Sequence, residues 1–143
     1  MRKLWAGFLS RNAAAGAHNY IEGQVWTYRT RPGEESSTVQ INKIERNAKL
    51  ENIFHISVFD VRLNNPHAPG ELVTELPHFP VSRESLDKSV LKLAGAPPRQ
   101  VAYEEGYAEW KRAFDAGQAG IFTISVAEIV SSVERAISGI PQQ

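Results

Sequence analysis

Gly23–Ser37 reads GQVWTYRTRPGEESS. In an extended chain successive side chains point to opposite sides, so Trp26, Tyr28 and Thr30 share one side of Val25–Arg31. Val25, Thr27, Arg29 and Arg31 share the other. Pro32-Gly33 then supplies a type II turn: proline presets φ at the second position, and glycine accepts the positive φ needed at the third. A strand closed by a tight turn implies an antiparallel neighbour. The polar run Glu34–Ser37 keeps the reversal at the surface.

That neighbour is expected at Thr38–Arg46, with Val39 and Ile41 on one side. Ile44 falls on the opposite parity, which predicts a bulge or a strand covered on both faces. A third strand is expected from Asn52 to Leu63. Phe54, Ile56 and Val58 face one way, and Ile53, His55, Ser57 and Phe59 the other. Simple alternation places Val61 and Leu63 with the Ile53 set and Asp60 on the Phe54 side, where a charge sits badly unless the strand bends. Asn64–Gly70, NNPHAPG, is a loop. Glu71–Leu76 reads as a short fourth strand. Pro77 and Pro80 keep the following LPHFP out of a central strand.

The second half is helical. Ser82 caps a helix whose stripe is Leu86, Val90 and Leu93, with Gly95 as its end. A second helix is expected over Ala102–Ala116, its core stripe Tyr103, Tyr107, Trp110 and Phe114. Gly106 inside it points to close packing, since glycine there costs ~1 kcal/mol against alanine. Ile121–Ile124 reads as a strand. Ser125 and Glu128 form a capping box, and Val126, Val130, Val133 and Ile137 the buried stripe of a last helix ended by Gly139 and Pro141. The fold class predicted is α+β, an antiparallel sheet of four to five strands with two to three helices on one face.

The division expected is an N-terminal arm at 1–22 and one domain at 23–143. The arm bears Arg2, Lys3 and Arg11, and its only acid is Glu22. Leu4, Trp5, Phe8 and Leu9 would share one side of an amphipathic helix, packed on the domain or on a second copy. A signal peptide, a mitochondrial presequence and a membrane-surface helix are the competing readings.

Sixteen basic residues balance sixteen acidic ones, which argues against a protein whose main task is neutralising phosphates. With 42% hydrophobic and 22% charged residues the composition is globular rather than disordered. Cysteine is absent, so disulfides, thiolate nucleophiles and cysteine metal sites are excluded. No run approaches the ~18 apolar residues of a membrane span. Phosphate loops, HExxH and GxSxG motifs are absent.

Trp26, Tyr28, Arg29, Arg31, Glu34, Glu35 and His55 are therefore the candidate binding residues, with the aromatics facing inward and the arginines outward. His55 is the candidate for proton transfer, because an unperturbed imidazole titrates near neutrality. The bland alternatives are a buried His55 bonded to a neighbour, and Glu34 and Glu35 folded back on Arg29 and Arg31. His67 and His78, with Glu71 or Glu75, match no known metal spacing, and no cofactor or metal is expected. The reading that results is a soluble, cytoplasmic, non-enzymatic protein-binding module, of an adaptor or small inhibitory or immunity type. Its partner is a protein of unknown identity, with a homodimer through the arm as an alternative and nucleic acid disfavoured. The competing functions are an enzyme or small-ligand binder with a pocket near His55, Arg29 and Arg31, and a weak single-strand nucleic-acid binder.

Overall fold

The computed structural model describes residues 18–49 and 51–139. The expectations for Leu4–Leu9 and Pro141 lie outside that range. Among these residues five strands form one antiparallel sheet: β1 (Val25–Tyr28), β2 (Thr38–Glu45), β3 (Ile53–Asn64), β4 (Leu72–Val81) and β5 (Val90–Leu93). Their order across the sheet is β4-β3-β2-β1-β5. Among the described residues three helices accompany it: α1 (Arg83–Asp87), α2 (Glu104–Asp115) and α3 (Val126–Ser138). This is the α+β class expected, with α1 and α3 on one face of the sheet. Their Leu86, Val126, Ile129 and Val130 join Trp26, Tyr28, Val39, Ile41, Phe54 and Ile56 in one apolar core. α2 lies on the opposite face, against His55 and His78.

Local chemistry sets these elements as the sequence suggests. The Glu34 amide bonds the Arg31 carbonyl at 3.1 Å across Pro32-Gly33, and Gly33 has φ 89°. A type II turn requires that positive φ at its third position. In α3 the Ser125 hydroxyl accepts from the Glu128 amide at 3.2 Å, and the Glu128 carboxylate accepts from the Ser125 amide at 2.9 Å. Gly139 closes the helix at φ 76°.

Three register shifts decide what each face carries. Between Ile41 and Lys43 the β2–β3 register slips, so Ile44 returns to the side of Phe54. In β4, Pro77 and His78 together oppose only Ser57, because Leu76 pairs with Val58 and Phe79 with Ile56. A bulge of this kind re-aims side chains, and it turns His78 toward His55. In β3, Asp60 takes φ 62°, which a short polar side chain tolerates better than most. The ladder shifts there, and Val61 and Leu63 enter the core with Phe54 and Val58. They do not join the Ile53 set, as unbroken alternation predicts.

Two further differences concern the helical half. The helix begun at Ser82 ends at Asp87, and Val90–Leu93 is strand, not the continuation of a Leu86–Val90–Leu93 stripe. The edge of β1 takes this segment: Arg29 donates its amide to the Ser89 carbonyl and Ala94 donates to the Val25 carbonyl. Ile121–Ile124 contributes one parallel bridge, Phe122 to Val81, rather than a full strand. β4 runs to Val81 through both prolines, as an edge strand can.

Candidate functional site

Trp26 and Tyr28 are buried, at 5% and 3% exposure, and belong to the core. The Ser37 hydroxyl donates to the Phe59 carbonyl at 2.7 Å, so its one proton is used and the Tyr28 hydroxyl donates to it at 2.8 Å. Arg29 is exposed. Arg31 instead holds the Glu34 carboxylate with two bonds, Nε at 2.9 Å and Nη2 at 2.8 Å, and reaches Glu134 of α3 at 2.9 Å. Glu34 is buried and also accepts from the Arg62 amide at 2.6 Å. Glu134 accepts from the Asn64 amide at 3.1 Å. Arg31 and Glu34 therefore clamp the β1–β2 turn to β3 and α3. These hydrogen bonds, Glu34's first, raise the Arg31 pKa against the opposing effect of burial. Exposed Glu35 accepts from the Gly33 amide.

His55 is fully buried, and its contacts are with Glu45, His78, Tyr107 and Trp110 rather than with Arg29 or Arg31. Its Nε2 lies 2.9 Å from a Glu45 oxygen and its Nδ1 lies 2.9 Å from His78 Nε2. A carboxylate only accepts, so His55 Nε2 carries the proton toward Glu45. With His55 neutral, its Nδ1 is an acceptor and His78 Nε2 donates to it. Lys111 completes the line by donating to the other Glu45 oxygen at 2.8 Å. Burial lowers the His55 pKa against the opposing pull of Glu45. Burial, with His55 alongside, lowers that of His78 to about 4. Burial works to raise the Glu45 pKa, but the bonds from Lys111 and His55 hold it below the usual value. At neutral pH the line is thus ammonium, carboxylate, imidazole, imidazole.

Further along this face polar groups lie beside buried Val25, Ile53 and Phe59. Asn42 donates to the Ser57 hydroxyl at 2.7 Å, and Ser57 donates to the Pro77 carbonyl at 2.7 Å. The Gln40 amide grips the backbone of Arg99 in both directions, at 2.7 Å and 2.9 Å. Arg99 in turn stacks over Phe59 and pairs with Asp60 at 2.7 Å. The segment between β5 and α2 is thereby tied down across the sheet.

The sheet's two edges differ. On β4, Phe122 bonds the Pro80 carbonyl and accepts from the Ser82 amide, both at 2.9 Å. Among the described residues β5 pairs only with β1, and Leu91 and Leu93 are 50% and 53% exposed. Trp26 and Leu93 are opposite each other, with the ladder bond one residue on, from Ala94 to Val25. The amide and carbonyl of Leu93 consequently point away from β1.

Among the described residues no group of three or more His, Asp or Glu side chains is placed to hold a metal ion. None of their helices is long and apolar enough to cross a membrane. Neither the pairing of His78 with His55 nor the β5 edge, open among the described residues, is legible in the sequence. Each depends on chain segments brought together from far apart, and Val90–Leu93 reads equally well as part of a helical stripe. Comparison of the chain with protein-family models, with curated proteins and with solved structures finds no match.

Proposed function

We propose that this chain is a non-enzymatic protein-binding module whose partner adds an extended segment to the outer edge of β5. The observation that carries this reading is the contrast between the edges: β4 bears Pro77 and Pro80 and is bonded by Phe122, whereas β5 presents Leu93's backbone groups beside two half-exposed leucines. A free edge is a template for another strand, and leucine pockets between alternate residues give such an addition its selectivity. Lys92, exposed between the leucines, selects the occupant. Two copies of β5 paired about a two-fold axis at Lys92 would set like charges opposite each other, which is destabilising. A segment with an acidic residue between two apolar ones complements it.

The test is selection of a displayed random-peptide library on the protein. Enriched peptides should converge on the apolar–acidic–apolar pattern, and Leu91→Glu with Leu93→Glu should weaken their binding by about tenfold or more. Enrichment of unrelated patterns, or equal binding by the double variant, overturns the reading.

A further inference from the structure

We propose that α2 is an acid-releasable cover, set free from its face of the sheet when the His55–His78 pair takes up protons. The pair is the main seat of the helix. Gly106 lies so close that a Cβ there would sit 3.3 Å from His78 Cβ. The Tyr107 ring stands edge-on to His55 at 4.8 Å, and Trp110 meets it at 5.0 Å. Trp110 also donates to the Gly120 carbonyl at 2.8 Å. No residue of α2 is fully buried, whereas α3 buries Val126, Ile129 and Val130. The α2 attachment is correspondingly shallow, and few buried apolar contacts make an element easy to open.

The charges around the pair leave no place for two added protons. β2 contributes Glu45 and Lys43, and α2 contributes Lys111, Tyr107 and Asp115. Glu45 is already shared between His55 and Lys111, Asp115 is paired with Lys111 at 3.4 Å, and Lys43 sits over the Tyr107 ring at 5.4 Å. The gap between the rings already holds the His78 Nε2 proton, so a first added proton goes to His78 Nδ1, with Glu45 as counter-charge. A second would face two N–H donors across a 2.9 Å gap between nearly parallel rings. Water relieves that repulsion once the helix leaves.

The direction follows from linkage. In the released state the histidines are hydrated and titrate at an ordinary value of about 6.5. Seated under α2 they resist protonation, His78 down to about 4. The released state therefore binds more protons across that interval. Seating is complete above about pH 6.5 and is progressively lost as pH falls toward 4.

Hydrogen exchange of the full chain, corrected for intrinsic rates and followed from about pH 7 to pH 4.5, tests this. Protection within Glu104–Asp115 should fall by about tenfold or more below pH 5.5 while protection in β3 persists. His78→Gln, which cannot charge, should shift the loss of α2 protection to lower pH, since only the His55 contribution remains. Simultaneous loss in α2 and β3, protection of α2 down to the lowest pH, or an unshifted loss in the variant each overturns the proposal. Should the variant fail to fold, proton NMR titration of the wild-type imidazoles decides: their midpoints must coincide with the α2 transition, and midpoints displaced from it overturn the proposal.

Discussion

On one side of β3, Phe54, Ile56 and Val58 lie in an apolar layer beneath α1 and α3; on the other, His55, Ser57 and Phe59 meet Glu45, Asn42 and the Arg99 segment. Both rows come from alternate residues of one strand, and both are buried. They are held differently. The apolar side rests on area removed from water, which has no direction and is roughly additive. The polar side rests on partners at hydrogen-bond distance, each of which costs free energy if left alone. The first kind of contact stabilises the sheet broadly. The second fixes which segment covers it, and makes that cover sensitive to proton uptake.

The largest expected effect breaks the apolar side. Phe54→Ala should lower the unfolding free energy by about 3–5 kcal/mol, read from urea denaturation, because it removes a large buried ring and leaves a cavity. The polar side should respond more mildly. Gln40→Leu removes both bonds to the Arg99 backbone, but Arg99 is exposed and water can replace them. A loss of about 1 kcal/mol is expected, with faster exchange of the Arg99 amide as its local signature. A loss as large as that of Phe54→Ala would mean the Gln40 clamp supports the whole sheet.

The smallest effect sharpens the contrast most. Alanine normally gains about 1 kcal/mol over glycine inside a helix. Gly106→Ala should realise little of that gain, because the new methyl presses on His78. In a His78→Ala background the same substitution should recover about 1 kcal/mol, and the double-mutant cycle measures the difference as coupling. Strict additivity would show that Gly106 and His78 are not packed as a pair.

Much of the fold was legible where the signal is local. Pro32-Gly33, the Ser125–Glu128 box and the α2 span rest on groups within four residues of one another, and the chain there does as its residues suggest. The shift at Ile44 was visible as broken parity, and the structure puts a bulge there. The candidate sites were less legible. The inward side of Trp26 and Tyr28 followed from strand parity, but Arg31, expected outward, forms with Glu34 an internal clamp closed by Glu134, 103 residues from Arg31. The tyrosine and tryptophan stripe of α2, which spacing alone assigns to a core, is half-buried over histidines.

By itself, then, the sequence determined the class of fold, the turns, the caps and the alternation along each strand, because these depend on backbone preference and on periods of two or four residues. Tertiary structure alone decided which rows share a face after the bulges at Pro77 and Asp60, since one extra residue exchanges the two sides of a strand. It also decided that Val90–Leu93 is strand, because the edge of β1 supplies backbone partners that outweigh a helical stripe. And it brought His78 to His55 across 23 residues, a contact made by strand pairing, of which no local pattern carries a trace.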